Sequence, residues 1–137
     1  TGIAKLQEAA KKQGLKVETR VGDVTSFHPD RKYDIITLTF VLHHLPREQA
    51  LAVIQMMKEN TNAGGLNALA GFTKNGDFYR GHPDTDDLYF DTDELKMLYA
   101  DWEVLDYTEK RGQAFQKKPD GSPMFNISAR ILARKST

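Results

Sequence analysis

The chain has 137 residues, with 19 Lys and Arg against 19 Asp and Glu, no cysteine, and 39% hydrophobic and 28% charged residues. That length suits one globular domain around one core, and balanced charge with a pI near 6.8 supplies no long-range field for a phosphate backbone, so nucleic acid is not an expected partner. The lack of cysteine excludes disulfides, a thiol nucleophile and a thiolate zinc site. No apolar run approaches the roughly 20 residues that span a bilayer, so a cytoplasmic protein without membrane contact is expected.

Thr1-Gly2 is not a translational start, and Ile3, Leu6, Ala9 and Ala10 show helical spacing at once, so the sequence reads as beginning at or inside a helix, with further residues expected upstream. The helix runs to Gln13 and stops at Gly14, a residue type that tolerates the left-handed conformation closing a helix. Residues 16–21 alternate and are β-branched enough to predict a strand, followed by Gly22-Asp23 and a polar loop to Asp30. Residues 33–40 form a nearly continuous apolar and β-branched run, which suits a parallel strand covered on both faces.

Residues 47–60 place Leu51, Ile54 and Met57 on one helical face, widened by Ala50 and Val53, and Asn62-Ala63-Gly64-Gly65 ends that helix. A short strand is expected over 67–72, then a long loop over 73–90, dense in Gly, Asp and Pro. Asp91-Thr92-Asp93-Glu94 opens a short helix with an acidic cap, ending near Tyr99-Ala100. Residues 102–111 and 125–134 alternate as two antiparallel strands, with Pro119-Asp120-Gly121-Ser122 as a turn signal between them. The order spells a single α/β domain, 1–137, with a layered sheet and an antiparallel edge.

Several pieces carry a resemblance. They are Val21-Gly22-Asp23-Val24 after a strand, Tyr33-Asp34-Ile35-Ile36 opening the next, and Phe40-Val41-Leu42-His43-His44-Leu45 leaving it. Asn62-Ala63-Gly64-Gly65 and the closing hairpin follow in order. Together they resemble the C-terminal two-thirds of a class I S-adenosylmethionine-dependent methyltransferase. Within that group the chain is most similar to the tellurite-resistance (TehB-like) methyltransferases, through Met57 to Gly65, Glu94-Leu95 with Tyr99-Ala100-Asp101-Trp102-Glu103, and Ile131-Leu132-Ala133-Arg134-Lys135. The resemblance implies a Rossmann-like sheet, mostly parallel, with a C-terminal antiparallel hairpin, and S-adenosylmethionine as cofactor across the strand ends.

On that resemblance, Asp23 accepts a hydrogen bond from the adenine amino group and Val24 flanks the ring; the plainer reading of Asp23 is a turn residue satisfying its own loop. Thr39 and Phe40 end the next strand, where the methionine part would lie, although Phe40 also reads as a buried strand residue. Tyr79, Arg80, His82, Tyr89 and Phe90 become candidates for a lid over a small-molecule methyl acceptor, whose closure would exclude water and align the reactants. No residue stands out as catalytic. His43-His44 invites a base or metal reading, but adjacent side chains point apart on a helix or strand and no third ligand has a suitable spacing, so a structural role and no metal are expected. Asp34 also reads as structural. The acidic stretch from Asp84 to Asp93 lacks calcium-loop spacing and reads as a solvated loop.

Two features depart from the family pattern. The glycine-rich first turn and the ribose-binding acid of such enzymes are absent, so the chain reads as an N-terminally truncated piece of the fold. In the family's sheet, ordered three-two-one-four-five-seven-six, that leaves residues 16–21 without neighbours and the edge of 33–40 uncovered. The expectation is pairing of these two segments, exchange between chains as a homodimer, or disorder of the N-terminal helix and strand. Second, a basic pair and an arginine of the family's final hairpin are replaced by Gln113-Ala114-Phe115-Gln116 and Pro123, which weakens a metalloid oxyanion such as tellurite or selenite as acceptor. A non-catalytic, methyltransferase-like interaction or assembly module is the alternative reading.

Overall fold

A computed structural model describes residues 1–137. The N-terminal helix α1 spans Gly2–Lys12, with Thr1 as N-cap accepting from the Ala4 N–H at 3.3 Å, and Gly14 at φ +66° follows its end. The strand expected over 16–21 does not form. A strand exists through its ladder partners, and this segment has none: Leu15, Val17 and Val21 are exposed, and it is tied mainly by Gln7 to Thr19 at 2.7 Å and Arg31 to Glu18 at 3.2 Å. The expected pairing of 16–21 with 33–40 is therefore absent.

Four strands make one mixed sheet: β1 (Tyr33–Thr39), β2 (Thr61–Phe72), β3 (Glu103–Lys117) and β4 (Pro123–Arg134), in the order β1-β2-β4-β3. That is the four-five-seven-six portion of the family's order. β1 and β2 are parallel, with Leu38 beside Leu69; β2 to β4 and β4 to β3 are antiparallel, with Leu69 beside Ile131 and Ile131 beside Tyr107. The parallel part of the sheet is thus confined to one strand pair.

Helix α2 (Arg47–Glu59) connects the parallel pair and buries Ala50, Val53, Ile54 and Met57, the stripe its periodicity predicts. With Leu88, Phe90, Leu95, Tyr99 and Trp102 it covers one sheet face, presented by Leu69, Ala129, Ile131 and Ala133. Ile36 and Leu38 of β1 pack on this core, whereas Thr37 and Thr39 stay exposed and Ile35 is 60% exposed. The expectation that both faces of β1 are covered is corrected: the helices of the core lie on one side.

Two loops are more ordered than their composition suggests. Residues 62–65 already belong to β2, where Gly64 at φ +77° and the tightly packed Gly65 absorb a register shift between the Tyr33–Thr61 and Ile35–Leu66 pairs. The stretch 73–90 contains helix α3 (Asp77–Gly81) and is strapped by bridges Thr73–Phe90 and Pro46–Asp87. Its polar residues find partners on β4: the Phe125 N–H donates to Asp77 Oδ2 at 2.8 Å, and the Phe78 N–H to Asn126 Oδ1 at 3.0 Å. Helix α4 (Glu94–Leu98) is capped differently from expectation, since Asp93 makes no side-chain cap and Glu94 instead accepts from the Asp91 N–H at 3.0 Å. The hairpin turn is as expected, with the Gly121 N–H donating to the Lys118 carbonyl at 2.8 Å.

Candidate active site

β1 and β2 run in parallel and end side by side at Thr39 and Phe72, the edge where such sheets place ligands. Phe40, the first residue beyond β1, has φ +55°, a left-handed conformation costly for a side chain with a Cβ, and its N–H donates to the Ala70 carbonyl at 2.8 Å. Its ring lies 5.0 Å from that of Phe72, which meets Phe78 edge-on at 5.2 Å. These rings line an open cleft of about 470 Å³ bordered on its other side by the hairpin, through Gln113, Phe115 and Gln116 of β3 and Asn126, Ser128 and Arg130 of β4. The Arg130 guanidinium stands 5.8 Å from the Phe40 ring centre.

Asp23 lines a separate cleft of about 330 Å³, with Arg20, Phe27 and His28 among its walls. One carboxylate oxygen, Oδ1, accepts from the Thr25 N–H at 2.8 Å and the Thr25 hydroxyl at 2.7 Å, which caps the 3₁₀ turn Val24–Ser26 and holds the carboxyl below its usual range. Asp23 is therefore a turn residue that keeps Oδ2 outside its own loop. Val24 is half-buried and also faces a groove against Val53 and Met56 of α2. Thr39 is exposed at the strand end. Asp23 and Phe40 do not share a cleft.

The residues expected to form a lid divide. The Tyr79 and Tyr89 rings lie 5.5 Å apart, and Tyr89 is 6.2 Å from His43, so these two close on the same aromatic group as Phe72. Arg80 is turned to Asp77 at 3.7 Å, and His82 is exposed. Phe90 is not a lid residue: it is 0% exposed, anchored by its N–H to the Phe72 carbonyl at 3.0 Å, and its ring fills the space over Gly71.

His43 and His44 do not point apart. They occupy the 3₁₀ turn Leu42–His44, which stacks their rings 4.0 Å apart, and His43 also meets Phe72 at 4.7 Å. Burial, helped by the His44 charge and opposed by Asp87, pulls the His43 pKa down to about 4. The ring packs on His44 and Phe72, and its Nδ1 is buried without a hydrogen-bond partner. Asp34 accepts from Asn62 Nδ2 at 2.9 Å, holding the start of β1 to β2. No group of three or more His, Asp or Glu side chains comes together in metal-binding geometry.

Phe72, Phe78 and Arg130 were not legible as site residues. Phe78 is hidden in a stretch whose composition reads as loop. Arg130 did leave a signal, being a lone charge within the apolar alternation of Ile127, Ala129, Ile131 and Ala133.

Residues 1–128 match the family described as Tellurite resistance protein TehB. The chain is 34% identical over 133 residues to a probable S-adenosyl-L-methionine-dependent methyltransferase TehB of Haemophilus influenzae, covering 97% of this chain and 46% of the relative. The crystal structure of TehB from Haemophilus influenzae superposes with a TM-score of 0.82 at 32% identity, over 98% of this chain and 46% of that one. A putative methyltransferase from Bacillus halodurans shares the fold, with a TM-score of 0.73 at 16% identity over 98% of this chain and 79% of that one. The chain spans about half the length of the curated relatives it matches. On the match of residues 1–128 and this identity, the chain belongs to the TehB family.

Proposed function

We propose that this chain forms the acceptor-side part of an S-adenosylmethionine-dependent methyltransferase acting on a small molecule. The observation that carries the reading is the aromatic cleft at the ends of the parallel pair β1 and β2, which shares Phe40 with the cofactor residues implied by the family. S-adenosylmethionine would supply an electrophilic methyl group on a sulfonium sulfur. The residues present fit such a group: Asp23 retains a carboxylate oxygen to accept from the adenine amino group, Val24 offers an apolar flank, and Thr39 and Phe40 stand at the strand end to hold the methionine part. Tyr79, Arg80, His82 and Tyr89 lie on the covering stretch, where closure would exclude water and hold the acceptor in line.

The family's name points to a metalloid oxyanion such as tellurite, a reading supported by the family match. Calorimetric titration of S-adenosylhomocysteine into the full-length protein that contains this chain tests the proposal. Saturable binding, weakened about tenfold or more by Asp23→Ala through loss of a charged hydrogen bond, is the expected result. Absence of binding overturns it.

A further inference from the structure

Strand β3 (Glu103–Lys117) is the outer strand of the sheet, paired to β4 on one side and to nothing on the other. The N–H and C=O groups on its free side form a template for a further strand. In the family's order, upstream strands add beside β1, at the opposite edge of the sheet, and leave this one open. Edges are commonly protected by bulges and by charge. In β3 the register shifts lie towards the two ends, between Val104 and Asp106 and between Gln113 and Lys117, so residues 106–113 form a regular run.

Charge in this run is arranged to suit a copy of itself. Asp106, Thr108 and Lys110 are exposed on the face away from the core, while Tyr107 and Glu109 are half-buried on the core side, beside Ile131 and Ala129. Neither Asp106 nor Lys110 has an ion-pair partner in its own chain. Four residues apart on one strand, they stand about 13 Å from each other and cannot meet. Antiparallel pairing with a second copy about a two-fold axis at Thr108 sets Asp106 opposite the partner's Lys110, and Lys110 opposite the partner's Asp106. Thr108 then faces the partner's Thr108, a favourable cross-strand pair. On the core side Tyr107 comes opposite the partner's Glu109. The Tyr107 hydroxyl and Glu109 Oε1 are two of the three buried side-chain polar atoms that lack a hydrogen-bond partner in the single chain, so this register puts a donor opposite an acceptor. Neighbouring registers fail on charge. An axis at Glu109 opposes two carboxylates, one at Lys110 opposes two ammonium groups, and one at Tyr107 leaves Asp106 and Lys110 without partners.

We propose that β3 is a homodimer interface, in which two copies join edge to edge about Thr108 and their four-stranded sheets become one continuous sheet. Backbone hydrogen bonds along the shared edge supply the adhesion, and the two Asp106–Lys110 pairs fix the register. Because β3 also carries Gln113, Phe115 and Gln116 of the cleft described above, pairing holds that border of the cleft in place.

The test is the solution mass of the full-length protein containing this chain, by sedimentation equilibrium. A reversible dimer is expected. Asp106→Lys and Lys110→Asp each oppose like charges twice per dimer, and each should weaken association about tenfold or more. The double variant Asp106→Lys with Lys110→Asp restores opposite signs and should recover the original association. Both positions are exposed, so circular dichroism spectra unchanged from the parent confirm folded variants. A monomer at every concentration, a dimer that the single variants leave intact, or a double variant as weak as the singles overturns the proposal. The methyl-transfer reading does not enter this inference, and S-adenosylhomocysteine binding tests that reading separately.

Discussion

Residues before Tyr33 and residues after it are built by different rules. Of the 24 buried residues, Ala10 alone lies before Tyr33. Helix α1 is locally well made, with a Thr1 cap and Lys11 and Lys12 at its negative end, yet Leu6 remains 45% exposed. After Tyr33, a set of polar side chains is engaged inside the core. The Tyr99 hydroxyl donates to Asn67 Oδ1 at 2.9 Å, Asn67 Nδ2 to the Thr61 hydroxyl at 2.8 Å, and that hydroxyl to the Met57 carbonyl at 2.7 Å. This chain ties α2, β2 and the end of α4 together. Capping and composition suffice to make a helix, whereas a strand or a buried hydroxyl needs partners from elsewhere in the chain.

Substitutions should expose that contrast. Tyr99→Ala empties a fully buried aromatic site and strands Asn67, so it should cost about 3–5 kcal/mol, read as a lowered denaturant midpoint. Burial also holds the Tyr99 phenol well above its usual pKa, so that hydroxyl stays protonated and donating to Asn67 through the ordinary working range of pH. A loss under 1 kcal/mol would mean that the network is dispensable. Gly71→Ala comes next: the new Cβ would stand 2.8 Å from the Phe90 ring, which is enclosed and has nowhere to move, so about 1–3 kcal/mol is expected from overpacking. Both effects belong to the part of the chain after Tyr33.

Where the sequence succeeded follows the same division. Helices α1 and α2 announce themselves by local periodicity and the hairpin by its turn residues, so they were readable within a few positions. Residues 16–21 carry a strand-like pattern that fails for want of a neighbour. Helix α3 was missed for the opposite reason: its ties run from Asp77 to Phe125 and from Phe78 to Asn126, each 48 positions away. The site shows both cases. Asp23 and Phe40 could be named because they sit in short sequence motifs, Val21 to Val24 and Phe40 to Leu45. Phe78 and Arg130 join Phe40 only through the return of β4 beside β2, which no local pattern encodes.

Acid should act on the later region as well. His43 has an ordinary pKa of 6.5 and a folded value of about 4. Above pH 6.5 the ring is neutral in both states and contributes no pH dependence. As pH falls from 6.5 towards 4, the unfolded chain takes up a proton that the half-buried ring resists, so stability declines across that window. His43→Gln should flatten this part of the stability–pH curve, measured by denaturant midpoints at successive pH values. An unchanged slope would show that His43 is freely hydrated and that its stack on Phe72 is loose.

The smallest effect should come from the N-terminal helix. Leu6→Ala removes apolar atoms that are already close to half exposed, and replaces a good helix former with a better one, so the change should fall within about 0.5 kcal/mol. Denaturant midpoints of this chain measure it directly. A loss above about 1 kcal/mol would require Leu6 to be covered in solution, and the face of α1 bearing Ile3, Leu6 and Ala10 would then be packed against something. Ile35, Thr37 and Thr39 on the open face of β1 are the surface to examine first, since they are the exposed sheet residues beside β2. A double substitution of Leu6 and Ile35 would decide it: coupling between the two places the helix on the sheet, and strict additivity leaves α1 a solvated helix held by its own caps.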